Sequence, residues 1–212
     1  MGYYVALLTD TKQHGPEELF SAKNYVPAFW PGLLDAQTLN ESQRYWHELD
    51  RLVAAEDAEE LYRFTDVQPA LTNQYVGLGP LRRNMARTAQ LLMQLRPDQL
   101  PLFEEFCNFL LAQLPGPDDG LQFDLISLGG DGGILELLAS LHQQVAAFDA
   151  AAPLPWVLST APALLTGALP LAKLPDAAAF SLLRAATQLP AAPLAAPPAR
   201  PSSWWRRLWG GC

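Results

Sequence analysis

The sequence predicts an α+β, mostly α-helical fold: a helical domain packed on a small two- or three-stranded sheet, followed by a Pro/Ala-rich C-terminal tail. Three observations predict it. Residues 3–9 (YYVALLT) and 122–128 are short β-branched and aromatic runs suited to pairing with each other. Long stretches between and after them repeat apolar residues at helical spacing. The run LQFDLISL–GGDGG–ILELLASLHQQVAAF, which begins at Leu121, reads as strand, sharp turn and helix in direct succession.

The elements follow in order. After the first strand, a polar loop through Asp10, His14 and Gly15 leads to PEELFSA, a candidate single helical turn with Pro16 at its first position. In NYVPAFWPGLLD, Phe29, Trp30, Leu33 and Leu34 share one face and predict a short buried helix. A helix is expected over 40–55 with Tyr45, Leu49, Leu52 and Val53 inward, and another over 58–64. Residues 66–79 hold Pro69, Asn73, Gly77 and Gly79 and read as a loop. The next helix, 81–95, turns Leu81, Met85, Thr88, Ala89, Leu92 and Leu95 inward and Arg82, Arg83 and Arg87 outward. Asp98 is the expected cap of a strongly apolar helix through Leu102, Phe103, Phe106, Phe109, Leu110 and Leu114. The helix after the GGDGG turn should close near Ala151. Residues 150–172 are 23 uncharged residues, but Pro153, Pro155, Pro162 and Pro170 argue for a broken core segment rather than a membrane span. A last helix spans 176–189, with Phe180, Leu183 and Ala186 inward. This gives one domain over 1–189, a Pro/Ala-rich linker over 190–203 and a basic, aromatic tail over 204–212.

Half of the 212 residues are hydrophobic and 17% are charged, enough for a sizeable core. A net charge of −8 argues against nucleic acid as a main partner and suits attraction to a basic protein. Two cysteines make no disulfide framework; Cys107, in FCNFLL, is expected to be a buried thiol. The first ten residues have no basic-then-apolar leader pattern, which points to a cytoplasmic location.

Catalytic and metal motifs do not assemble. GGDGG (Gly129–Gly133) is neither GxGxxG nor GxxxxGK[ST], and Asp131 would repel a phosphate. His47–Glu48 starts like HExxH, but Arg51 stands where the second His must be, so neither a metal nor any other cofactor is expected. Two groups of carboxylates remain. Glu56, Asp57, Glu59 and Glu60 form an acidic run, and Asp118 and Asp119 stand near Asp124 and Asp131 by the central strand. A surface role, as a solvated face or a docking face for a basic protein, is the favoured reading, and Glu56, Asp57, Glu59, Glu60, Asp118 and Asp119 are the expected residues of the docking face. Acid–base chemistry by carboxylates near Asp124 and Asp131 is a second alternative. The tail interleaves Trp204, Trp205, Leu208 and Trp209 with Arg206 and Arg207, which suits a partner groove or a weak, membrane-peripheral contact.

The opening YYVALLTD with NYVPAFWPGLLDAQTL, and the ending WWRRLWGG, resemble small bacterial toxin-immunity proteins of uncharacterised family. The resemblance covers about the first forty residues and the tail. It implies a binding protein without catalysis, whose partner is a secreted toxin domain, and carries over no active-site residues. The expected function is neutralisation of such a toxin by protein–protein contact, with a membrane-peripheral adaptor using the WWRRLW tail as the alternative.

Overall fold

The structure, a computed structural model, describes residues 3–56, 58–67, 74–125, 133–149, 161–169, 173 and 180–188. Seven α-helices and a four-stranded antiparallel sheet lie among these residues, an α+β fold that is mostly helical. The sheet has four strands rather than two or three. The order is β2–β1–β4–β3, with β1 Tyr4–Thr11, β2 Gly15–Lys23, β3 Gln74–Gly77 and β4 Gly120–Asp124.

The expected central pairing is present: Leu7 faces Phe123 and Thr9 faces Leu121 across β1 and β4. Two expectations fail beside it. PEELFSA is not a helical turn but part of β2, which pairs with β1 from Tyr4 opposite Lys23 to Thr11 opposite Gly15. Gly15 sits at φ +68°, the left-handed backbone that a three-residue hairpin loop needs. The stretch 66–79 is not wholly loop either, because Gln74–Gly77 pairs with β4 and Leu78 already begins a helix.

Helix α1 (Ala36–Ala55) starts earlier than its apolar stripe because Asp35 caps it, accepting the Thr38 N–H at 2.8 Å. Helix α2 is Ala58–Val67 and α3 is Leu78–Leu95. Helix α4 (Leu100–Ala112) has Gln99, not Asp98, at its N-cap; Asp98 is instead forked by Arg96 at 2.7 and 2.9 Å. Helices α5 (Gly133–Asp149), α6 (Pro162–Thr166) and α7 (Ser181–Gln188) complete the described chain. Residues 126–132, which include most of the GGDGG turn, lie outside the described residues, as do the linker 190–203 and the tail 204–212.

The expected helix at Phe29–Leu34 is a single 3-10 turn, Pro31–Leu33, with all four apolar side chains fully buried. Its backbone carbonyls find partners on α3. Asn84 donates to Leu33, Arg87 to Leu34 and Thr88 to Gly32, at 2.8–2.9 Å. Positions 84, 87 and 88 lie on one helical face, so this polar stripe faces inward to satisfy a buried turn. Arg87 is accordingly half-buried rather than on the solvent side, while Leu95, expected inward, is exposed.

Phe20, Phe29, Phe103, Phe106 and Phe109 form edge-to-face and tilted ring pairs 5.0–5.9 Å apart at the centre of the core. The segment 161–169 is sewn onto this core. Ala28 and Phe29 donate to Leu164 and Leu165, Ser21 and Ala168 exchange two backbone hydrogen bonds, and the buried Trp30 indole donates to Thr166 O at 3.0 Å. Gly167 fits there because its φ is +84° and an added Cβ would lie 2.9 Å from Ser21 O. Among the described residues no helix is long and apolar enough to cross a membrane.

Candidate functional sites

The two predicted carboxylate groups lie on different elements. Glu56 ends α1 as its C-cap in the left-handed conformation, φ 55°, donating its N–H to Val53 O at 3.2 Å. Asp57 lies outside the described residues. Glu59 and Glu60 occupy the first turn of α2, where the helix dipole favours negative charge. Glu56, Glu59 and Glu60 are all exposed.

Two arginines partly offset this corner. Arg51 forks onto Glu48 at 2.7 and 2.9 Å and reaches Glu60 at 3.8 Å, and Arg63 pairs with Glu59 one helical turn away. The Arg51 guanidinium therefore explains the HExxR sequence as a helical ion pair, and it holds the Glu48 carboxyl below its ordinary range. The corner remains strongly acidic. From Glu48 to Asp66 the chain has seven carboxylates against two arginines, a net −5 out of −8.

Tyr62, which the sequence reading passed over, projects from the same helix with 69% of its surface exposed. The signal was in the helical period. Leu61 and Phe64 pack against the core, with Phe64 stacked on Tyr45 at 5.0 Å, and this turns Tyr62 away from it.

The second group sits in a cleft of about 440 Å³ at the end of the sheet. One wall is the β1–β2 hairpin tip with Lys12 and His14, and the other is the loop from Pro115 to Asp119. The adjacent aspartates do different things there. Asp118 is exposed and forms an ion pair with Lys12, which raises the ammonium pKa chiefly through their hydrogen bond. Asp119 is only 5% exposed, and its Oδ2 accepts the Gly116 N–H at 2.6 Å. Its backbone is tied as well, with its carbonyl accepting the Leu78 N–H at 3.0 Å.

Behind the cleft, the Tyr75 hydroxyl donates to Asp118 O at 3.2 Å, and the ring lies so close over Gly120 that a Cβ there would be 2.6 Å from it. Burial, then the charges of Asp10, Asp119 and Asp118, raise the Tyr75 pKa. Asp124 is the last residue of β4, opposite Ala6, and Asp131 is outside the described residues. The six tail residues Trp204, Trp205, Arg206, Arg207, Leu208 and Trp209 are also outside them.

Cys107 packs in the core on α4, and burial pushes its thiol pKa well up. No group of three or more metal-ligating side chains occurs among the described residues. Comparison with protein families, with curated proteins and with solved structures finds no match to this chain.

Proposed function

We propose that this chain is a non-catalytic binding protein of the toxin-immunity type, which neutralises a basic protein partner by covering it with the acidic corner of α1 and α2. The observation that carries the reading is the concentration of a net −5 between Glu48 and Asp66 around the exposed Tyr62. Clustered charge speeds encounter with a basic surface and excludes acidic ones. Tyr62, exposed on the helix whose first turn carries Glu59 and Glu60, supplies the aromatic anchor on which binding energy concentrates. That the partner is a toxin rests on the resemblance of the opening stretch and the tail.

Affinity capture from the native host at low and moderate salt tests it, using the intact chain and a version with Glu56, Asp57, Glu59 and Glu60 changed to Gln or Asn. The expected result is one stoichiometric basic protein, weakened by salt and lost from the neutralised version. Equal capture by both versions contradicts the assignment of the corner. Recovery of lipid and envelope proteins alone, abolished by ending the chain at Ser203, transfers the function to the membrane-peripheral alternative.

A further inference from the structure

Helices α4, α6 and α7 leave an apolar groove of about 480 Å³ between them. It is lined by Pro101 and Leu102 from the start of α4, Pro162 and Leu165 from α6, and Leu182 and Ala185 from α7. The groove exists because α7 turns Leu183 into the core and presents only the methyl groups of Ala185 and Ala186 where a larger side chain would fill the space. Leu182 is left 44% exposed beside them. The charged residues of the lining, Arg96 and Asp98, are forked onto each other at 2.7 and 2.9 Å. The groove therefore selects an occupant by apolar fit rather than by charge. Helix α7 is also the last described element, and residues 189–212 follow it in the sequence.

We infer that this groove is the seat of the chain's own basic, aromatic tail, with Trp205, Leu208 and Trp209 laid against Leu102, Leu165 and Leu182. The three tail residues recur at i, i+3 and i+4, the spacing with which an amphipathic helix fills an apolar groove. Arg206 and Arg207 fall between them in the sequence and stay in water. Leaving such residues exposed is unfavourable by about 25 cal/mol per Å² of apolar surface. The tether decides between this occupant and a separate molecule. Residues 189–203 join α7 to the tail, and a Pro-rich stretch reaches about 3.1 Å per residue, roughly 45 Å in all. Helix α7 has eight residues and is about 12 Å long, so the tail can double back along it to the groove. A tether of this kind holds its end near the groove at a concentration on the order of a millimolar, which favours the attached tail over a second copy. The inference is independent of the acidic corner, and a tail seated in the groove is not at a membrane surface.

The test uses the full chain with a nitroxide on Cys212, three residues past Trp209, read as broadening of side-chain methyl signals in NMR. Cys107 is 8% exposed in the core and its thiol pKa is pushed up, so Cys212 is the residue that takes the label. Broadening is expected at Leu102, Leu165, Leu182 and Ala185, and not at Leu61 of α2. Changing Trp205, Leu208 and Trp209 together to Ser alters no described residue and should remove it. Leu182→Glu, at an exposed position of α7, should weaken it without lowering the melting temperature. Broadening that is spread evenly over the surface, that is confined to α1 and α2, or that survives the three Ser substitutions would overturn the inference. So would broadening of an isotope-labelled, nitroxide-free chain mixed with the nitroxide-bearing one, which would put the tail on a second copy.

Discussion

The seam that ties 161–169 to the sheet and the corner where α1 meets α2 are built on opposite principles. At the seam, apolar packing and polar satisfaction coincide: Trp30 is fully buried and still donates to Thr166 O, and backbone groups of Ser21, Ala28 and Phe29 all find partners across more than a hundred residues of chain. At the corner, α2 is held by Leu61 and Phe64, while its charges and Tyr62 face water. Surface ion pairs such as Arg63–Glu59 contribute little to stability. Stability is therefore concentrated at the seam, while the corner keeps its charges in water.

Substitutions should separate the two regions. Trp30→Ala is expected to lower unfolding free energy by about 3–5 kcal/mol, the usual effect of emptying a buried Trp site, as read by chemical denaturation. A loss near zero would mean the seam does not hold the fold. Gly167→Ala should cost roughly 1–3 kcal/mol, because the backbone there is left-handed and the new Cβ meets Ser21 O. Thr88→Val keeps the shape but leaves Gly32 O without its donor, for a loss of about 1–3 kcal/mol in the same assay.

Tyr62→Ala sharpens the contrast from the other side. Its stability should stay within about 0.5 kcal/mol of the parent. Partner affinity should fall by about thirtyfold or more if Tyr62 is the anchor. The smallest effect is on pH dependence. Lys173 holds the Glu17 carboxyl below its ordinary range, as Arg51 does for Glu48 and Arg96 for Asp98. A lowered folded pKa gives stability that is complete above the ordinary carboxylate range, near 4, and lost as pH falls through the lower folded values. Thermal melts should therefore be flat from neutral pH down to about 5 and decline gently below about 4, since all three groups are exposed. A melting temperature that rises on acidification would show repulsion within the corner to be the larger effect.

The parts of the fold that were legible in the sequence are those set by local periodicity. The apolar faces of α1 and α4 and the pairing of β1 with β4 follow from repeats of 3.6 and 2 residues. β2 was misread because Pro16 imitates a helix start, while its actual determinant is the hairpin geometry at Gly15 and the burial of Phe20 and Ala22 against β1. β3 was hidden among turn residues, because four residues are enough for a strand when β4 supplies the partners. Arg87 looks like a solvent-facing residue until the carbonyl of Leu34 is placed opposite it, next to the Asn84–Leu33 and Thr88–Gly32 bonds. The candidate sites divide in the same way. The acidic corner is a property of composition and was visible, whereas the role of Asp118 depends on Lys12, more than a hundred residues away, and that of Asp119 on how its own loop folds back to Gly116.

The most direct test of the central claim is the salt dependence of affinity for the captured partner, measured with the intact chain and with the version neutralised at Glu56, Asp57, Glu59 and Glu60. A steep salt dependence for the intact chain that flattens in the neutralised one, with melting temperature unchanged, is the predicted result. Identical salt dependence in both would contradict the account and remove the α1–α2 corner from the interface.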